Sequence, residues 1–251
     1  MKISVIICTW NRATLLDRTL TQMRALRIPP ALDWELLVVN NNCSDDTDGI
    51  ISRHEAFLPL RRLFEPTLGK TYACNSALDS ATGDLLVWTD DDVLVEPDWI
   101  AAYASAAERW PGNSYFGGPV IPWYESPPPA WVNENLDLLK GMLTLRDLAI
   151  EEGLFPENEM PFGANMALRR EAFSNFRFNP ALGPIGGSLV MCEETSLFLQ
   201  LRKNGDRGVW VPQAKVRHFV PQTRMTREYL WTWARGYGRG ITRIEIDSGA
   251  E

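Results

Sequence analysis

The stretch "DLLVWTDDDV", residues 84–93, carries an apolar run from Leu85 to Thr89 that ends abruptly in Asp90, Asp91 and Asp92. Such a run is long enough for a buried strand, and three adjacent carboxylates repel one another unless something positive lies among them. Working outward, Ile3 to Cys8 forms a β-branched run, after which Leu15, Leu16, Leu20 and Met23 recur at helical spacing. "WELLVV" at 34–39 predicts a second buried strand, followed by the polar turn "NNNCSDDTDG" and a helix to about Phe57. "LRRLFE" predicts a third short strand, and "TYACNSALDSA" a helix stopped by Gly83. Strands alternating with helices predict an α/β fold, a Rossmann-like and mostly parallel sheet with helices on both faces. Ligands of open sheets of this kind bind beyond the carboxyl ends of the strands. That rim collects "TWNR" after the first strand, "NNNCSDD" after the second and "DDD" after the run at 85–89.

The chain has 251 residues, 45% hydrophobic and 23% charged, enough for an ample core in one large domain or two small ones. A formal charge of −7 gives no general electrostatic reason to bind nucleic acid. Cys8, Cys43, Cys74 and Cys192 form neither a CxxC pair nor a dense framework, which predicts reduced thiols in a cytoplasmic protein and no structural zinc. "KISVIICTWN" is too short for a signal segment, and no run reaches the roughly 18 apolar residues of a spanning helix. Prolines and aromatics in "PVIPWYESPPPAW" predict a boundary near residue 119, dividing a nucleotide-type half, 1–118, from a second half, 119–251. The second half holds "PFGANMALRREAF", the loop "NPALGPIGGS", and "EETSLFLQLRKNG", a helix with acids in its first turn and Gly205 past its end. Between Lys215 and Arg243 there are seven Lys/Arg and one acid, interleaved with Tyr229, Trp231, Trp233 and Tyr237. This segment suits a diphosphate clamp, a site for a lipid-diphosphate acceptor, a basic amphipathic helix on the inner face of a membrane, or a solvated helix packing its aromatics on the body.

Three acids at a strand end suit a hard divalent cation, Mg²⁺ or Mn²⁺; the bland alternative is a solvated loop capping a helix that starts near residues 96–98. "VIICTWNR", "LLVVNNNCSDDT", "EPTLGKTYACNSALDSATGDLLVWTDDDV", "FGANMALRR" and "CEETSLFLQLRKNG" stand in an order and at spacings similar to those of the family 2 glycosyltransferases with the GT-A fold, over residues 1 to about 220.

The resemblance implies a role for each motif. Asp92 would ligate a divalent ion that bridges two phosphates, Asp90 would contact the ribose or help place the ion, and Asp91 would be a dispensable neighbour. Thr9, Trp10, Asn11 and Arg12 would wall the nucleotide, with Trp10 against the base. Asn40 and Asn42 would lie near the base, Asn40 where the family usually has an aspartate. Cys43 replaces a usual serine and Cys74 a common arginine, leaving Lys70 to supply positive charge. Gly163 and Asn165 would lie beneath the donor sugar. Glu194 would be the catalytic base, with Glu193 orienting sugar or loop. His218 would be a third metal ligand. Apart from the resemblance, Arg224 and Arg239 of the basic segment are candidate phosphate contacts, and Trp123, Tyr124 and Trp131 among prolines suit either stacking on an acceptor sugar or a rigid packed loop. The implied activity is inverting, metal-assisted transfer from a UDP- or GDP-sugar to a hydroxyl of a saccharide or lipid-linked acceptor, in surface-glycan assembly. Two rivals are a sugar-nucleotide nucleotidyltransferase, which would want the Gly-rich basic loop that "CTWNRAT" lacks, and a non-catalytic glycan-binding relative, motivated by Asn40, Cys43 and Cys74.

Overall fold

In the computed structural model, which describes residues 1–174, 176–185 and 190–248, the first strand, β1 (Lys2–Thr9), lies at the middle of the parallel half of the sheet. Its β-branched residues serve two cores at once. Ile3, Val5 and Ile7 face one cluster and Ile6 the other, which is the two-sided burial that a central parallel strand requires. The chain continues through α1 (Ala13–Met23), β2 (Asp33–Asn40), α2 (Thr47–Glu55), β3 (Leu60–Phe64), α3 (Lys70–Ser80) and β4 (Leu85–Asp90). β3, β2, β1 and β4 pair in parallel in that spatial order.

The rest of the chain completes this sheet and adds a second. After β5 (Val93–Val95), α4 (Trp99–Arg109), β6 (Tyr115–Gly117) and β7 (Val120–Tyr124) come two one-turn helices, α5 (Ala130–Asn133) and α6 (Leu136–Leu139), and β8 (Gly153–Leu154). β9 (Asn165–Arg169) runs antiparallel between β4 and β6, a 3₁₀ turn (Arg170–Phe173) follows, and after α7 (Glu193–Lys203) the strand β10 (Val209–Trp210) extends the edge towards β8. β11 (Val216–Val220) pairs with β5 and β7 in a separate three-stranded sheet. The chain then makes a 3₁₀ turn (Gln222–Arg224) and ends in α8 (Arg227–Asp247), which Thr226 caps by accepting a hydrogen bond from the Tyr229 amide at 3.1 Å. The small sheet matters for chemistry because its register sets His218 of β11 opposite Val93, one residue from the acid triplet.

The mostly parallel α/β architecture is therefore as expected, and the expected boundary at residue 119 falls within a continuous hydrogen-bonded sheet that draws on both sides of it. Part of the expected loop "NPALGPIGGS", residues 186–188, lies outside the described residues. The acid triplet does not cap α4. Asp98 holds that N-cap position, makes no side-chain cap bond and instead pairs with Arg27.

Candidate active site

The repulsion within the triplet is relieved first by a cation of the chain itself. The Arg12 guanidinium spans two of the acids, donating from Nη1 to Asp91 Oδ1 at 2.7 Å and from Nη2 to Asp92 Oδ2 at 2.8 Å. Thr9 Oγ1 donates to Asp91 Oδ2 at 2.7 Å. Burial pushes the Asp91 carboxyl up to about 6 despite Arg12, whereas His218, Arg12 and Arg224 together overcome the same burial at Asp92 and hold it down to about 2. Asp91, expected to be a dispensable neighbour, is buried and ties the triplet to β1 through Thr9. Thr9, also buried, donates its hydroxyl proton to Asp91 and still lines the first cleft beside Trp10.

Asp90, Asp92 and His218 present ligand atoms that all lie within 4.8 Å of one another. His218 Nε2 is 3.4 Å from Asp92 Oδ1, and that oxygen and His218 Nδ1 are both buried with no hydrogen-bond partner among the described residues. A buried carboxylate oxygen without a donor is costly unless a cation completes it. Two carboxylates and an imidazole therefore fit Mn²⁺ or Mg²⁺.

Two clefts meet at this cluster. The first, about 280 Å³, is bounded by Trp10, Leu68, Gly69 and the triplet. Trp10 and Leu68 are each 38% exposed, leaving an aromatic face open beside the acids. Its rim is held by amides that sequence reading assigned to the ligand. Asn40 is buried, donates to Asp48 at 2.6 Å and accepts from the Cys43 amide at 2.8 Å, so it is not free to read a base. Asn11 accepts from the Ser44 amide at 2.7 Å and Asn42 donates to the Pro66 carbonyl at 3.2 Å, and both tie loops together outside the cleft lining. Asn41, not singled out in the sequence, does line the cleft and holds its floor by accepting from the Gly69 amide at 2.8 Å and donating to the Thr67 carbonyl at 2.6 Å. Its neighbours in "NNNCSDD" are the same residue type, so composition alone gave no signal to separate it.

The second cleft, about 580 Å³, shares Lys70, Asp90, His218 and Arg224 with the first. Lys70, at the start of α3, lies 3.1 Å from Asp90 Oδ1 and 3.3 Å from Glu193 Oε1, so it links the strand-end acids to α7. These acids hold its ammonium charged against burial. Glu194 faces the second cleft. Burial, then the neighbouring Glu193, pushes its carboxyl up to about 7. The Gly163 amide donates to Glu194 Oε1 at 3.3 Å, and a Cβ added at Gly163 would lie 3.3 Å from that oxygen, so glycine allows this close approach.

Three further assignments change. Asn165 is 0% exposed. It accepts from Trp99 Nε1 at 2.8 Å and Tyr103 Oη at 2.7 Å and donates to the Pro119 and Ala214 carbonyls at 3.0 and 2.7 Å, so its amide joins the two sheets and does not meet a sugar. Trp123 packs on Phe219, and Trp131 packs on the small third core around Val132 and Leu143; neither lines the second cleft. The aromatics that do include Phe162 and three of α8, Tyr229, Trp233 and Tyr237, the last two stacked with centroids 5.4 Å apart and planes at 7°. Arg224 sits at the junction, 4.0 Å from Asp92 Oδ2, whereas Arg239 lies on the outer face of α8. Cys74 is buried with its sulfur 3.8 Å from Cys8, leaving Lys70, one turn earlier, as the cation of α3 at the site.

The mostly parallel sheet that carries this rim has the GT-A fold of glycosyltransferases. The chain belongs to glycosyl transferase family 2, whose description matches residues 4–177. It is 27% identical to the succinoglycan biosynthesis protein ExoM of Rhizobium meliloti, over 92% of this chain and 71% of that protein. It is 24% identical to the glucosyl-dolichyl phosphate glucuronosyltransferase of Haloferax volcanii, over 98% of this chain and 78% of that one. Among solved structures, it superposes on the mannosyltransferase PcManGT from Pyrobaculum calidifontis in complex with GDP-Man and Mn²⁺ with a TM-score of 0.62 at 20% identity, covering 91% of this chain. The chain spans only about 59% of the length of that structure's chain. No helix among the described residues is long and apolar enough to cross a membrane.

Proposed function

We propose that the protein is an inverting, metal-assisted glycosyltransferase that moves a sugar from a UDP- or GDP-sugar to a hydroxyl of a saccharide or lipid-linked acceptor. The observation that carries this reading is the junction itself: one cleft with an open aromatic wall and one with Glu194 meet at Asp90, His218, Lys70 and Arg224. In this reading residues 1–118 supply the nucleotide part and residues 119–251 the sugar and acceptor part of a single catalytic unit.

Trp10 stacks on the base in the first cleft, and Asp90, Asp92 and His218 hold the divalent ion. When bound, that ion supplies Lewis-acid stabilisation of charge on the departing diphosphate. Lys70 and Arg224 add fixed positive charge at the same junction, where preorganised groups do most for developing charge. Glu194, ionised, accepts the proton of the acceptor hydroxyl as oxygen attacks the anomeric carbon from the side opposite the diphosphate, which inverts that carbon in one displacement. The dolichyl phosphate in the name of the Haloferax relative and the basic, aromatic α8 support a lipid-linked acceptor and a contact with the inner face of a membrane.

The test is calorimetric titration of UDP and GDP, and of their sugars, with Mn²⁺, Mg²⁺ or EDTA present. The reading expects metal-dependent binding of one nucleotide diphosphate and sugar transfer from the matching donor. Equal binding in EDTA would overturn it.

A further inference from the structure

Two glycines one turn apart, Gly236 and Gly240, are the buried residues of α8, a helix otherwise on the surface. At Gly240 the helix backbone presses on the segment that leads into α7. A Cβ placed there would lie 2.3 Å from the Met191 carbonyl oxygen and 2.9 Å from Cys192 Sγ. Neither can yield cheaply, because the first atom is backbone and the second belongs to a residue already constrained. Cys192, the residue before Glu193, has φ 79°, a left-handed conformation that side chains other than glycine adopt reluctantly. Its sulfur sits 3.8 Å from the Tyr237 carbonyl, within the same notch. By contrast, a Cβ at Gly238, two residues along the same helix, would meet nothing within 4 Å.

We infer that Gly240 is a positioning residue: by letting α8 close on Met191 and Cys192, it holds Cys192 in its left-handed conformation and thereby sets where α7 begins and where Glu194 points. The inference rests on the reading of Glu194 as the base. The mechanical chain is short. Cys192 is the N-cap of α7, Glu193 and Glu194 are its first two residues, and a shift of the cap moves both carboxylates relative to Lys70 and Gly163.

The experiment compares Gly240→Ala with Gly238→Ala in the full chain. In each variant we would measure kcat and donor KM, the pH profile of kcat, the melting temperature, and labelling of Cys192 by a thiol reagent, read by peptide mass spectrometry. The expected result for Gly240→Ala is a kcat at least tenfold lower, a donor KM within about twofold of the parent, a displaced acid limb of the pH profile, and a Cys192 that labels faster. Gly238→Ala should match the parent in all four. Cys192→Gly, which suits the backbone conformation but removes the sulfur from the notch, covers the case in which Gly240→Ala does not fold; it too should lower kcat without changing donor KM. Parental kcat and pH profile in folded Gly240→Ala, or in Cys192→Gly when the former does not fold, would overturn the inference, even if Cys192 labels faster. A parent protein that transfers no sugar would instead count against the proposed function, while the labelling comparison would still report whether the notch holds Cys192.

Discussion

Arg12 Nη1 and Asp91 Oδ1 lie 2.7 Å apart beneath a triplet whose outer members are the candidate metal ligands. The pair makes the middle acid structural. Asp91→Ala should leave Arg12 with Asp92 alone and Thr9 without its acceptor, at a cost of about 3 kcal/mol, the low end for removing one partner of a buried pair because Arg12 stays partly solvated. Asp91→Asn, which keeps an acceptor for Thr9, should cost less. Chemical denaturation of both variants checks the order, and an Asp91→Ala protein as stable as its parent would refute it.

His218→Ala should weaken Mn²⁺-dependent nucleotide binding on the order of tenfold or more. It should leave metal-independent contacts, and hence weak binding in EDTA, as they are. Titration with and without metal separates the two effects.

The rate of sugar transfer should follow the ionisation of Glu194. A base works deprotonated, and burial with Glu193 alongside pushes its carboxyl up to about 7, so kcat should rise with pH, fall about tenfold per unit well below 7 and level off above about 8. Glu194→Gln should abolish transfer and leave donor binding intact. Stability runs the other way. The folded-state value lies above the unfolded one, so the stabilising contribution of Glu194 is complete below the unfolded value near 4.5 and disappears as pH rises through about 7. At pH 8 Glu194→Gln should therefore melt about 2–4 °C higher than the parent.

Trp10→Ala should weaken binding of the nucleotide about tenfold, the usual loss when one stacked base loses its aromatic partner. The melting temperature should change little, since Trp10 is 38% exposed. Fluorescence quenching of the parent by bound nucleotide, reduced in the variant, is an independent readout.

Asn165→Ala should act as a core defect. Trp99, Tyr103 and two carbonyls would lose partners, for a loss of about 2–3 kcal/mol. Its donor preference should stay that of the parent, which competition between donor sugars measures.

The sequence revealed the parallel half of the sheet because β1, β2 and β4 are buried on both faces, and that leaves unbroken runs such as "SVIIC" and "LLVV". It pointed to Asp90, Asp92, His218 and Glu194, which the fold brings to the two clefts, because their chemistry is uncommon at a strand end or a helix start. It did not show that Thr9, Asn40 and Asn165 spend polar groups within the chain, Thr9 and Asn165 on partners as distant as Asp91 and Trp99 and Asn40 on nearby Cys43 and Asp48. Which way a short polar side chain turns depends on elements far away in the chain, and no local pattern encodes that. The small sheet was hidden for a related reason: β5, β7 and β11 are short, and β11 pairs with strands 96 or more residues earlier in the chain. The Gly240 notch was hidden because a glycine in a helix reads as a defect until its neighbour across the gap is known.

β9 has a consequence for how such proteins can be recombined. It lies antiparallel between β4 and β6, with Leu85 opposite Arg169 and Thr89 opposite Asn165. A hybrid joined near residue 119 would have to rebuild five consecutive backbone pairings between strands of different parentage. Segments beyond residue 119 should accordingly pass between relatives as loops, with α8 moving together with the start of α7, whereas β9 should be inherited together with β4.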